Sequence, residues 1–197
     1  INAPDFNYIM VNPAGITFTG TSRVDVGSLV ASTNALTQNG IDRLEFTQDH
    51  NSRSLMVQDG ARLNASDGIV ALVGPHVAMH GRITATQGHV ELVAGRVATV
   101  SFDHTGLFQF NIDNTQNGAL THASRTMAHN RSGIFVGQTG IIKAKTVNVS
   151  VNAVDEVLNK AVNISGIIEA SYAGKAGNGR YYIGPAGQQK GRVNVSA

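Results

Sequence analysis

The side chains best equipped for chemistry in this 197-residue chain are seven histidines and thirteen carboxylates, with no cysteine. His76 and His80 are four residues apart, with His89 nearby, a spacing that brings two imidazoles together on a helix. Gly74-Pro75 before them and Gly81 after them argue against a helix, and on a strand the pair would share a face about 13 Å apart. No metal site is assigned. Asp103, Asp113, Asp155 and Glu156 are the carboxylates to test for a glycosidase or lyase pair, yet none falls in a repeated segment that would present two of them rigidly. Gly174 to Arg180 has the composition of a phosphate cradle but lacks the Gly-Lys-Ser/Thr ending and a following helix, so it reads as a turn. Asn64, Asn148, Asn163 and Asn194 each open an Asn-x-Ser acceptor pattern. No catalytic residue and no cofactor follow from these residues.

The elements that would carry them are short strands with a repeat. Sliding residues 60 to 102 by about twenty positions puts Arg62 on Arg82, Leu63 on Ile83, Ala65 on Ala85, Gly68 on Gly88, Val70 on Val90, Leu72 on Leu92, Val73 on Val93 and Val77 on Val97. A phrase of Gly, an aliphatic, a polar residue and Ala recurs at Gly60 to Ala65, Gly81 to Ala85, Gly140 to Ala144 and Gly166 to Ala170. Its aliphatic points inward and its polar residue (Thr84, Lys143, Glu169) outward, the alternation of a half-buried strand. Coils of parallel strands, each stabilised by stacking on the next, satisfy this pattern. The expected fold is all-β, a right-handed parallel β-helix of roughly eight to ten coils with ~4.8 Å spacing.

Two stretches break the repeat and are expected to leave the helix as β excursions. Asn34 to Ser54 has its apolar residues at Ile41, Leu44 and Phe46, which would suit either one helical turn or a strand over 44 to 47. Asp103 to Asn130 contains an alternating strand at Leu107 to Ile112, then a polar loop with His122 and His129. Asp155 to Lys160 could form a helical turn, and the tail from Tyr172 is expected to make a final coil.

Composition sets further bounds. Charged residues are 14% of the chain against 22 glycines, which suits stacked strands because like charges in register repel. Lys and Arg are scattered singly at a net charge of +2, so the linear sequence offers no basic stripe and nucleic acid is set aside as a partner. No apolar run approaches the ~20 residues of a spanning helix, and membrane insertion is not expected.

Tyr8 to Thr33 reads YIMVNPAGITFTGTSRVDVGSLVAST, with Asn12-Pro13 and Gly15 marking a turn between two strands. This stretch resembles the secretion domain of two-partner-secretion exoproteins, the family of filamentous haemagglutinin, high-molecular-weight adhesins and related haemolysins. Asn12, Pro13, Gly15 and Ile16 match its Asn-Pro-Asn-Gly-Ile turn, and Val26 to Thr33 matches its closing phrase. Ala14 departs from the second Asn, and the family's Asn-Pro-Asn-Leu motif is absent.

The resemblance implies an N-terminal secretion domain of a large adhesin-like protein. Its partner would be a cognate outer-membrane β-barrel transporter, and the chain would fold outside a Gram-negative cell after crossing the periplasm. Asn12, Pro13, Gly15 and Ile16 would be its secretion motif, and a host-cell or surface receptor would be met by the rest of the protein. Residues 1–197 are expected to be one β-helical domain, a fragment lacking the N-terminal cap that usually precedes the motif. The alternative from another class is a polysaccharide-active β-helix enzyme.

Overall fold

The computed structural model describes residues 1–39, 43–48, 51–65, 67–95, 97–102, 108–111, 133–151, 162–170, 173–175, 181–183 and 191–194. Among them every regular element is a strand. In chain order, β1 (Asn2–Val11) precedes a first coil of β2 (Ile16–Phe18) and β3 (Arg23–Ser32), after which β4 (Ala35–Asn39) and β5 (Arg43–Thr47) leave the stack. The second coil is β6 (Leu55–Val57), β7 (Arg62–Asn64) and β8 (Ile69–Gly74), and the third is β9 (His76–Met79) and β10 (Arg82–Ala94). The chain then leaves again as β11 (Val97–Phe102) and β12 (Phe108–Asn111). A fourth coil is β13 (Gly133–Val136) and β14 (Ile141–Val151), a fifth begins with β15 (Val162–Ile164) and β16 (Ile167–Ala170), and β17 (Ala173–Lys175), β18 (Tyr181–Ile183) and β19 (Gly191–Asn194) complete the order.

Three stacks of parallel strands build the helix. One is β2, β6, β9, β13 and β15. A second joins the start of β3, β7, the starts of β10 and β14, and β16. The third runs from β1 through the end of β3, β8 and the ends of β10 and β14.

Inward side chains consequently form columns. Val24, Leu63, Ile83, Ile142 and Ile168 are aligned rung upon rung and buried, and Leu29, Val70, Val90 and Val147 face them from the third stack. The four recurrences of the Gly-to-Ala phrase all lie in the second stack, and Ala65, Ala85, Ala144 and Ala170 are buried at its end. A methyl group is what remains when the inward position meets the bend between two faces.

The twenty-residue repeat is in register from Arg62 on Arg82 to Gly74 on Ala94, but it ends there. Val97 does not stack on Val77. It pairs antiparallel with Thr47, and Ile134 takes the place over Val77. The chain leaves the coil after Ala94 because β11 completes a separate antiparallel sheet of order β12-β11-β5-β4. The two excursions are thus one structure, and residues 43 to 47 are strand rather than a helical turn. Because excursions consume chain, the described residues hold four complete coils with partial ones at either end, fewer than the eight to ten expected.

The excursion sheet explains the continuous apolar run of β8, buried at every position. Its inward residues line the helix, while Val30, Ile69 and Ala71 pack outward against Leu44 and Phe46 and Val73 and Val93 pack against Ala98. Strands covered on both faces read as unbroken hydrophobic runs. Among the described residues of the tail the pairing is reversed instead of forming a final parallel coil: β18 pairs antiparallel with β14 and β19 antiparallel with β16. Reversed strands occupy edges that a further coil would otherwise have to pair. The expected helical turn at 155–160 and the polar loop at 113–130 lie outside the described residues.

Candidate functional site

Asn12 to Ile16 connect β1 to β2, and each contributes a different piece of the turn. The Asn12 carboxamide is used at both ends: its Nδ2 donates to the Gly15 carbonyl at 3.0 Å, and its Oδ1 accepts from the Ala14 N–H at 3.2 Å. The Gly15 N–H donates to the Asn12 carbonyl at 3.0 Å, closing the same four residues through the backbone. This is an Asx-turn laid over a β-turn, the arrangement for which Asn is favoured. Pro13 needs no donor at its position, and its carbonyl accepts from the Arg53 N–H at 2.9 Å. Gly15 has a φ of 114°, a region that residues with a Cβ rarely enter. A Cβ there would meet only ordinary contacts, Arg53 Cβ and the Ser54 carbonyl at 3.5 Å, so the backbone angle and not space is the constraint.

Longer-range bonds set the turn into the helix. The Asn12 N–H donates to the Ser32 carbonyl at 3.0 Å, and the Ile16 N–H donates to Ser54 at 3.3 Å. Ile16 is buried in the main core and is in register with Leu55. All four motif residues therefore share one turn, clamped between the end of β3 and the approach to β6. Ala14 is exposed, so the departure there leaves no buried gap.

Sequence reasoning gave no role to the polar end of the closing phrase. Ser32, Thr33 and Asn34 are each fully buried. Ser32 Oγ donates to the Asn34 carbonyl at 3.0 Å and accepts from the Asn34 N–H at 3.1 Å, while Asn34 Nδ2 donates to the Gly95 carbonyl at 2.9 Å. Gly95 is where the third coil gives way to β11, so Asn34 ties the two departures from the helix together. The signal was three polar residues directly after an apolar run.

The remaining candidates are dispersed. His76 begins β9 opposite Gly133. The His80 ring lies 5.3 Å from that of Phe135 on the next coil, tilted by 50°. His89 is on the outer face, and its pKa is lowered by partial desolvation and secondarily by the Lys145 charge. Among the described residues no three His, Cys, Asp or Glu are grouped to hold a metal.

Three carboxylates are engaged across rungs: Asp25 accepts from Asn64 Nδ2 at 2.5 Å, Glu91 from Asn148 Nδ2 at 2.7 Å, and Glu169 pairs with Lys143 at 2.8 Å. Asn64 and Asn148 are thereby occupied, whereas Asn163 is exposed on β15. Asn194 ends β19. Asp103, Asp113, Asp155, Glu156, His122, His129 and residues 176–180 of the Gly-rich loop lie outside the described residues.

Comparison with known protein families gives a match over nearly the whole chain. A family model described as the TPS secretion domain covers residues 1–195. No curated protein and no solved structure matches the chain.

Proposed function

The chain belongs to the TPS secretion domain family, the domains that direct exoproteins through the two-partner pathway, and from that premise we propose that it is recognised by a cognate outer-membrane transporter and templates β-helix folding at the cell surface. Residues 1–197 would form a single domain of a larger adhesin-like protein of a Gram-negative bacterium, reaching the surface through the periplasm. Host receptors would be met by other parts of that protein. The coils would wind right-handed, as parallel crossover connections almost always do.

The observation that carries the reading is the in-register stack of inward columns. Leu63, Ile83 and Ile142 each lie directly on the preceding rung. A coil that has formed therefore offers both an apolar surface and unpaired strand edges to the next segment to emerge. Each addition buries apolar area at roughly 25 cal/mol per Å², a free-energy change that opposes backward sliding without nucleotide hydrolysis. The Asn12 turn suits recognition before folding, since its three closing bonds span only residues 12 to 15. β1, with Phe6, Tyr8 and Ile9 exposed, is the face we assign to a covering segment.

The test is export of the chain, with a signal peptide fused in front, in cells with and without the cognate transporter. Extracellular accumulation is expected only with the transporter, and equal export without it would overturn the proposal. Asn12→Ala and Gly15→Val are expected to reduce export; unchanged export of both would remove the turn from the recognised region.

A further inference from the structure

Arg23, Arg62 and Arg82 are far apart in sequence and adjacent in space. Arg62 is in register with Arg23 on one side and Arg82 on the other, so three arginines stand on consecutive rungs about 4.8 Å apart. All three are exposed. A basic stripe that the linear sequence does not contain is thus made by coiling.

The stripe lacks counter-charges within its own column. Arg23 Nη1 donates to the carbonyls of Gly20, Ser22 and Gly60 at 3.2, 2.8 and 2.9 Å, which fixes one guanidinium against a turn. Among the described residues the side chains of Arg62 and Arg82 make neither an ion pair nor a hydrogen bond. The neighbouring outward column is Asp25, Asn64, Thr84, Lys143 and Glu169, and it is satisfied internally by the Asn64–Asp25 bond and the Lys143–Glu169 pair. Asp59, exposed in the turn before β7, adjoins Gly60, whose carbonyl accepts from Arg23. Like charges on facing strand positions destabilise a sheet, and an anionic ligand would relieve that repulsion.

The column does not continue as a charged one. Its next two rungs are Ile141 and Ile167, both half-buried. Three cations followed by two aliphatics match a polypeptide with carboxylates at one end and apolar residues at the other, a pattern that a uniform polyanion lacks. Three rungs span about 10 Å. Carboxylates at i, i+3 and i+7 of an α-helix span about 10.5 Å, whereas three on one face of an extended strand span about 13 Å.

We propose that the Arg23–Arg62–Arg82 column, continued by Ile141 and Ile167, is a docking surface for an acidic amphipathic helix of a protein partner. Its arginines come together only after the first three coils have stacked, and its aliphatic end only with the fourth and fifth, so it belongs to the folded domain and does not rest on recognition of the extended chain by a transporter.

The test is fluorescence anisotropy of a labelled, lactam-stapled helical peptide with Glu at i, i+3 and i+7 and Leu at i+10 and i+14. A peptide of the same composition with the Glu residues distributed around the helix is the control, and a polyuronate chain is the competitor. The matched peptide is expected to bind more tightly than the control and to weaken as salt rises. Its affinity should fall roughly tenfold in Arg62→Glu/Arg82→Glu, the sum of modest surface ion pairs, with an unchanged circular dichroism spectrum. Ile167→Ser should weaken the peptide and leave the polyuronate unaffected. Equal binding of matched and control peptides would overturn the proposal. So would full retention of binding in the double variant, or polyuronate binding as tight as the peptide and lost with the same arginines.

Discussion

Gly15 is the residue whose role was most fully legible in the sequence, because a Gly two positions after Asn-Pro has few uses other than a left-handed turn position. Its φ of 114° makes Gly15→Val unfavourable by about 1–3 kcal/mol. Asn12→Ala, which removes both carboxamide bonds, should destabilise by about 1–2 kcal/mol. Ala14→Asn should be nearly neutral, since the side chain is exposed; urea midpoints of the three variants check the order. His89 supplies a pH dependence. Its pKa is lowered in the folded chain, so the unfolded chain binds the proton more readily and stability is lost as pH falls below the ordinary histidine range. His89→Gln should flatten the stability profile between about pH 7 and pH 5, and Lys145→Gln should reduce the slope partially. A profile unchanged by His89→Gln would exclude that histidine as the source. Asn34 escaped notice for a physical reason: its partner, the Gly95 carbonyl, is sixty-one residues away, and no local pattern announces a bond across two coils.

At the scale of elements, the repeat identified which strands stack but not what covers them. The run Ile69 to Val73 carried the information, for five apolar residues in succession exceed what one buried face requires. Its second cover comes from β5 and β11, strands that meet only because both excursions fold back on the same face. Phe46, fully buried at that junction, is expected to cost about 3–5 kcal/mol when changed to Ala. The loss should appear in urea unfolding and in faster amide exchange along β5 and β11. The corner between the second and third faces depends on a different feature. A Cβ on Gly68 would run into the Gly27 carbonyl and Ser28 Oγ, and one on Gly88 into the Gly68 carbonyl. Because backbone is struck in both places, Gly68→Ala and Gly88→Ala should each destabilise by about 1–3 kcal/mol or more. Retained wild-type urea midpoints would show that the corner can open without loss. Where the corner is shorter, at Lys145 between Ala144 and Thr146, the register shifts against β10 and the glycine column ends.

For the whole molecule, a stack of coils has stability set by each coil and its two neighbours, not by a single closed core. Ile83 and Ile168 test this because they are equally well buried, at 0% and 1% exposure, in the same inward column. Ile83 lies between Leu63 and Ile142, with complete coils on both sides. Truncating it to Ala should lower global stability by about 2–5 kcal/mol, since neither half of the stack can release the strain without unfolding a neighbour. Ile168 has Ile142 on one side but only the reversed strand β19 on the other. Once β16 is weakened, the terminal coil can open while the coils before it stay paired, so Ile168→Ala should cost less in global unfolding. The difference should be visible by amide exchange: Ile168→Ala would deprotect residues 162–170 while β7 and β8 keep their protection, and Ile83→Ala would lower protection throughout. Equal global costs, with protection lost uniformly in both variants, would mean that the stack folds as one cooperative unit. In that case the stepwise addition of coils could not by itself supply a ratchet, and the templating part of the proposed function would fail even if recognition by a transporter held.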